Sequence, residues 1–327
     1  LNNLNLSFAC WDYDRIRAVL DGRVQTPGID LTYSNLPVDE IFFRMAKFRE
    51  FDIAEMSLST YCMTLHSDEP PFIAIPIFTS RFFRHSCIYI NSNSNITKPE
   101  DLNGKRVASP EYQMTAPVWI RGILKEYYNV DPSTQQHYTG GQEQPGRVER
   151  FPLDLNFVNP IPDNKTLSQM LYNGEIDALY AARTPSSFLK GDGRVVRLFK
   201  NFAEIEKQYY QDSKIFPAMH VVVIRREIYE KHPWIAQNLT KAFIQAQQQT
   251  YIDLQETDAL KTMLPWLPAH IEETINVFGQ DWWPYGFEQN QQMLSTFCQY
   301  HYEQGLSKTL LNPVDLFANE SLISYKL

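Results

Sequence analysis

From Leu4 to His66, short apolar runs with strand-like alternation take turns with runs whose apolar positions recur at helical spacing. Leu4, Leu6 and Phe8 alternate in a first strand, Leu4 to Ala9, which stops at the polar stretch Asp12 to Arg15. A short helix over Arg15 to Leu20 leads to the turn Asp21-Gly22, and Ile29 to Tyr33 forms a second strand after Pro27-Gly28. Val38, Ile41, Phe42 and Met45 predict an amphipathic helix from Pro37 to Phe48 that covers the sheet. Phe51 to Met56 is a third strand. It runs into Ser57, Ser59 and Thr60, whose hydroxyls can cap a helix continuing to about His66. Such β-α-β-α alternation predicts a mainly parallel sheet with helices on its faces, and ligands bound beyond the carboxyl ends of the strands. The residues that follow strands therefore matter most: Asp12 to Arg15, Ser57 to Tyr61, and Arg81 to His85.

The last of these groups lies in IPIFTSRFFRHSCIYIN, Ile75 to Asn91, between the apolar strand Phe72 to Phe78 and the alternating run Ser86 to Ile90. Arg81, Arg84 and His85 sit there among Phe78, Phe82 and Phe83. Two guanidiniums and an imidazole against aromatic rings suit an anion pocket, or else arginine stems cover the phenylalanines at the surface. After Asn91 the polar, turn-rich SNSNITKPEDLNGKR reads as a crossing into a second lobe. There Lys105 to Ser109 is a strand, and Thr115 precedes Pro117 and a periodic apolar face, which marks a helix start. That terminus is either an anion site or a capped structural helix. The loop Thr139 to Arg147 is glycine-rich but lacks the GK[ST] ending and the G-x-G-x-x-G spacing, so ATP and NAD are disfavoured. Thr166 to Tyr172 reads as a capped helix stopped at Asn173-Gly174, and Ile176 to Ala181 as a strand that places Arg183 at its end. Ile215 to Ile224, containing His220, reads as the return strand, and the chain from Arg226 onward as mostly helical. The expected division is 1–90 with 217–327, and 91–216. Trp119, Trp234 and Trp266 fall at helical positions and are expected to pack in the core or between helices; Trp282, Trp283 and Tyr285 are expected to pack, with a cap on the cleft or an oligomer contact as the alternatives.

At 327 residues the chain exceeds the usual single core, so two lobes are the default. A hydrophobic content of 43% with 21% charged residues argues against disorder, and a formal charge of -8 without a long basic run argues against nucleic acid. Local arginines still permit a small anion. Cys10, Cys62, Cys87 and Cys298 form no C-x-x-C pair, which speaks against a zinc knuckle and for a reducing, cytoplasmic compartment. No apolar run approaches the roughly 18 residues of a membrane span, and the start lacks a signal-peptide pattern. The first residue is Leu, so a removed leader stays open.

Two α/β lobes joined by two crossings, with LYNGEIDAL (Leu171 to Leu179) in the second, resemble the type 2 periplasmic-binding-protein fold. Within it the chain is similar to the 4,5-dihydroxyphthalate decarboxylases. The stretches that carry the resemblance are WDYDRIRAVLDGRV (Trp11 to Val24), EIFFRMAKFREFDIAEMSLSTY (Glu40 to Tyr61), FIAIPIFTSRFFRHSCIYIN (Phe72 to Asn91), EYQMTAPVWIRGIL (Glu111 to Leu124), GGQEQPGRVE (Gly140 to Glu149) and WPYGFEQN (Trp283 to Asn290). They span nearly the whole length.

The resemblance implies an α/β fold with a cleft between the lobes and a carboxy-lyase acting on a small aromatic dicarboxylate. It implies loss of one carboxylate to give 3,4-dihydroxybenzoate without an organic cofactor. On that basis Arg81 and Arg84 are expected to clamp the carboxylate that stays, with His85 as the ring-protonating acid or a base on the catechol and His220 as the second candidate acid. Asp12, Arg15, Ser57, Ser59, Gln113 and Thr115 would orient the substrate, and Arg147 and Arg183 would close over a second carboxylate. Each candidate has a structural alternative: a satisfied strand histidine, or an arginine in an interlobe salt bridge. His66, His137, His232, His270 and His301 show no ligand spacing, so no local metal motif is expected. A divalent metal held by distant residues such as Asp12, Glu55, His85 and His220 stays open. A homo-oligomer is expected, without nucleic acid or membrane partners. The main rival is a solute-binding protein that captures a carboxylate for a transporter; a ligand sensor is a third reading.

Overall fold

The computed structural model describes residues 3–149, 151 and 153–322. Strands β1 (Leu4–Ala9), β2 (Ile29–Ser34), β3 (Ile53–Ser57) and β4 (Phe72–Arg81) alternate with helices α1 (Asp14–Leu20), α2 (Val38–Phe48) and α3 (Leu58–Thr64). Then come β5 (Ile88–Asn91), β6 (Arg106–Ser109), α4 (Thr115–Tyr128), β7 (Gln136–Thr139), β8 (Val158–Pro160), α5 (Leu167–Asn173), β9 (Ala178–Tyr180), α6 (Ser186–Leu189), β10 (Val195–Arg197) and α7 (Phe202–Ser213). The chain closes with β11 (Ala218–Arg225), α8 (Arg226–Lys231), α9 (Trp234–Gln255), α10 (Leu267–Phe278) and α11 (Gln291–Glu303).

Two compact units result, one of Leu1–Arg81, Ala218–Ser295 and Leu311–Leu327, the other of Phe82–Pro217 and Thr296–Leu310. This division differs from the expected 1–90 with 217–327 and 91–216 in two places. The first crossing comes before β5, because β5 hydrogen-bonds between β9 and β10 in the second unit's sheet. The later part of α11 also belongs to the second unit. There Phe297 and Tyr300 pack their rings 5.3 and 5.7 Å from Trp119, and the Gln304 amide donates to the Val118 carbonyl at 2.9 Å. Neither tie leaves a composition shift in the sequence.

The first unit holds a five-stranded sheet in the order β2-β1-β3-β11-β4. β1 pairs in parallel with β2 and β3, as the alternation predicts. The other half corrects the expectation of a mainly parallel sheet: β11 returns between β3 and β4 and is antiparallel to both. Every residue of β3 is buried. Helix α2 buries Ile41, Phe42 and Met45, the positions whose spacing marked it. Phe8 of β1 meets Phe243 of α9 at 5.5 Å.

The second unit holds a six-stranded sheet in the order β10-β5-β9-β6-β7-β8. β6 pairs in parallel with β7 and β9, and β5 is antiparallel to β9 and β10. Here the expected strand from Ser86 starts late, because His85–Cys87 forms a 3-10 turn first. Thr166 caps α5 as expected, its side chain accepting from the Gln169 backbone N–H at 3.3 Å. Helix α4 starts at Thr115, with Met114 rather than Thr115 in the capping position.

The tryptophans divide. Trp119 is fully buried, whereas Trp234 and Trp266 are 40% and 71% exposed at helix N-termini, against the expectation of packing. Helical spacing alone does not tell an inward ring from an outward one. Trp282 and Tyr285 are buried, and the Trp283 indole donates to the Phe78 carbonyl at 2.8 Å. No helix among the described residues is long and apolar enough to cross a membrane.

Candidate active site

A strand buried on both faces should be apolar throughout, yet FDIAEMS puts a glutamate in the middle of β3. Glu55 is completely buried. Such a carboxylate needs donors, and neighbouring strands supply them. The Cys10 thiol, just past β1, donates to Glu55 Oε2 at 3.2 Å, and the Thr79 hydroxyl on β4 donates to the same oxygen at 3.2 Å. Oε1 accepts from the Tyr13 hydroxyl at 3.4 Å and lies 3.6 Å from His220 Nδ1. The register explains the histidine's place: β11 sets His220 opposite Ser57 and Val222 opposite Glu55, so the imidazole lies on the same face, one diagonal step away.

The surroundings keep the donors protonated. Burial first, and Glu55 next, push the Cys10 thiol well above its ordinary range and raise the Tyr13 phenol in the same way. The Phe42 ring packs edge-on against the His220 imidazole at 4.8 Å. Arg15 roofs the cluster, its guanidinium 4.0 Å from the Tyr13 ring centre and 4.2 Å from that of Trp283. Its Nε donates to the Thr79 carbonyl at 2.7 Å and its Nη1 to Asp14 at 3.1 Å.

The other candidates of this unit have structural ties. Asp12 forms a two-bond pair with Arg17 at 2.8 Å each, which holds its carboxyl below the usual range. Ser57 caps α3, accepting from the Thr60 N–H at 3.5 Å, and Ser59 is buried within that helix. Arg81 is buried, not open as a clamp would be: Nη2 donates to Asn290 Oδ1 and, at 2.7 Å, to the Pro284 carbonyl.

In the second unit Arg84 is likewise buried, reaching the Ala182 carbonyl at 3.5 Å with the Phe82 ring 4.6 Å from its guanidinium. His85 is enclosed by rings rather than set in a polar pocket. Phe199 and Tyr209 lie 5.3 Å away and Tyr128 5.8 Å, and neither ring nitrogen has a hydrogen-bond partner among the described residues. Burial alone holds its pKa down at about 4, so the imidazole is neutral near pH 7.

A separate polar cluster gathers before α4. The buried Gln113 amide donates to Glu111 Oε2 at 2.6 Å, and Arg147 Nε donates to Oε1 at 2.9 Å. Thr115 is buried beside them in sequence. Glu149 accepts from the Tyr112 N–H, and burial pushes its pKa up to about 7. Arg183 is exposed on the turn before α6, where the Gln142 amide donates to its carbonyl at 3.2 Å. Gly141 lets the glycine-rich loop fold back on itself, since a Cβ there would come within 1.6 Å of the Gln144 carbonyl oxygen. No group of three or more His, Cys, Asp or Glu among the described residues is placed to hold a metal ion.

Compared with known proteins, the chain is 38% identical to 4,5-dihydroxyphthalate decarboxylase of Comamonas testosteroni over the full length of both. It is 40% identical to the enzyme of the same name from Pseudomonas putida over 214 residues, 64% of this chain and 83% of that one. This chain belongs to the 4,5-dihydroxyphthalate decarboxylase family. No family model matches it. In fold, this member of the decarboxylase family is similar to a periplasmic sulfonate-binding protein of Methylobacillus flagellatus, at 13% identity and a TM-score of 0.53 over 97% of this chain and 92% of that one. It is similar also to the aliphatic sulphonate binding protein of Escherichia coli, at 13% identity and a TM-score of 0.52 over 99% and 94%. The α/β periplasmic-binding-protein-like architecture is thus that of the chain.

In the sequence of this family member the most conspicuous cluster is Arg81 to His85. The sequence by itself did not link Glu55 with Cys10, Tyr13 and Thr79. One signal was there to be read: a lone carboxylate in a run of apolar strand residues has to be paired when buried.

Proposed function

We propose that this chain removes one carboxylate from 4,5-dihydroxyphthalate and releases 3,4-dihydroxybenzoate and carbon dioxide. Full-length similarity to a decarboxylase of that name carries the reading. The chemistry asks for one proton and one electron pair. A hydroxyl para to the leaving carboxylate feeds electron density to the ring carbon, which accepts a proton. The carbon–carbon bond then breaks, its electron pair restores the aromatic ring, and carbon dioxide departs. The ring hydroxyl serves as the electron source, so we assign no organic cofactor to the step.

His220 is the proton donor in this scheme, in preference to His85. Its ring borders both Tyr13 and Glu55 and remains partly open, with 16% side-chain exposure, whereas His85 is 2% exposed inside a cage of aromatic rings. A proton donor must reach its acceptor. We place the protein in the cytoplasm on the strength of four free, buried cysteines. We also propose a homo-oligomer: Met263 and Trp266 are exposed at 101% and 71%, with Leu260 and Leu264 near them in sequence also exposed, an apolar stretch suited to a second copy. Light scattering at graded concentrations tests that assembly.

The deciding experiment mixes metal-stripped protein with 4,5-dihydroxyphthalate and follows carbon dioxide release alongside ligand-induced thermal shift. Turnover is the expected result. Thermal stabilisation without turnover, unrelieved by added divalent metal, would replace the reading with a carboxylate-binding protein.

A further inference from the structure

Resting on that reading, we propose that Glu55 is a positioning residue for the decarboxylation, holding the His220 ring so that Nδ1 carries a fixed proton and Nε2 is the atom that gives its proton to the substrate.

The hydrogen-bond pattern leads to this assignment. Glu55 is a carboxylate with donors ranged along two strands. Its Oε2 is occupied by the Cys10 thiol and the Thr79 hydroxyl, each at 3.2 Å. Oε1 faces the histidine. The Tyr13 hydroxyl lies 3.4 Å from Oε1 and 3.4 Å from His220 Nδ1. A phenol has one proton, and the buried carboxylate, which can only accept, takes it. The phenol oxygen then turns a lone pair toward Nδ1. Tyr13 Oη at 3.4 Å and Glu55 Oε1 at 3.6 Å both face Nδ1 as acceptors, so Nδ1 bears a hydrogen. Which ring nitrogen is protonated follows from the bond the other atom makes, and here Nδ1 is the committed one. When Nε2 gives its proton to the ring carbon, the imidazole is left neutral in its Nδ1–H form, ready to take the next proton from water.

The rest of the cluster fits support rather than contact with substrate. Glu55 has no exposed surface, so it acts through His220. Arg15, stacked on Tyr13 and bonded to the Thr79 carbonyl, holds two of the Glu55 donors in place. Outer carboxylates that orient metal-ligating histidines matter by about 10- to 100-fold when removed, and an effect of that order is expected for Glu55.

Two measurements on the full chain test the assignment. The first is nitrogen NMR of histidine-labelled protein, with the His220 signals identified by their loss in His220→Asn. The expected result is a proton held on Nδ1, with Nε2 the nitrogen that gains and loses its proton; a ring protonated on Nε2 and bare at Nδ1 overturns the inference whether or not the protein turns over 4,5-dihydroxyphthalate. The second is steady-state kinetics of Glu55→Gln, expected to lower kcat about 30-fold with KM within about twofold and an unchanged thermal midpoint. An active wild type beside a Glu55→Gln variant of equal kcat sinks the inference and leaves the decarboxylase reading standing, whereas an inactive wild type sinks that reading alone. Should Glu55→Gln not fold, Tyr13→Phe takes its place, with a several-fold loss in kcat expected and an unchanged kcat counting against the inference.

Discussion

The Tyr13 hydroxyl stands 3.4 Å from Nδ1 of His220, although the two residues are 207 positions apart in the chain. β1 and β11 both border β3, and that adjacency brings the loop after β1 to the return strand. In the proposed scheme the pair fixes one edge of the imidazole and leaves the other for chemistry. His220→Asn is therefore expected to lower kcat by at least about 100-fold, the usual worth of a placed acid, with a much smaller change in KM. Carbon dioxide release at saturating substrate checks it; a loss confined to KM would move the histidine from chemistry to binding.

His85 governs stability in acid. Its folded pKa, held at about 4 by burial, lies below the ordinary value of 6.5. Between those values the unfolded chain takes up a proton that the folded chain refuses, so stability falls as pH drops from about 6.5 to 4 and levels off below. His137, also held at about 4 chiefly by burial, adds a second contribution of the same sign. Each is worth at most about 3 kcal/mol over that window. Urea unfolding at a series of pH values should show the decline, and His85→Phe, which keeps a ring in the aromatic cage, should make it shallower.

Glu149 works in the opposite direction. Burial raises its folded pKa to about 7 from an ordinary 4.5, so the folded chain holds a proton that the unfolded chain has released. The stability it contributes is complete below pH 4.5 and is lost as pH rises through about 7. Glu149→Gln retains an acceptor for the Tyr112 N–H without the ionisation. Its advantage over the parent should grow between pH 5 and 8, by up to about 3 kcal/mol, in the same unfolding series. Equal stability of variant and parent at both pH values would contradict the burial argument.

Gly122 is required by Tyr300. A Cβ at this helical position would come within 2.0 Å of the tyrosine ring, whose hydroxyl is anchored to Glu126. Alanine would favour the helix by about 1 kcal/mol, but overpacking costs about 1 to 3 kcal/mol and a contact this close lies at the upper end. Gly122→Ala should lower the thermal midpoint. Combining it with Tyr300→Leu should cost less than the two changes summed, which a double-mutant cycle by calorimetry will measure.

Much of the secondary structure was legible because it rests on short-range patterns. Ile41, Phe42 and Met45 announced α2 by spacing, Thr166 announced the start of α5 by its hydroxyl, and the alternation of Leu4, Leu6 and Phe8 announced β1. Motif likeness along nearly the whole length was enough to reach the family. The arginines were harder. Arg81 and Arg84 read as a clamp, yet a guanidinium beside phenylalanines serves a carbonyl as well as a carboxylate, and the Pro284 and Ala182 carbonyls that receive them lie far along the chain.

What the sequence determined by itself is the order of strands and helices from Leu4 to His66, many of the residues able to face a core, and membership of the family, since each depends on local periodicity or on matched stretches. The tertiary structure alone decided that β11 enters antiparallel between β3 and β4, that His85 turns into an aromatic cage, and that Glu55 gathers Cys10, Tyr13, Thr79 and His220. The physical reason is the same in each case. Strand pairing across long loops sets which side chains meet, and a buried carboxylate takes its donors from whichever strands the sheet places beside it.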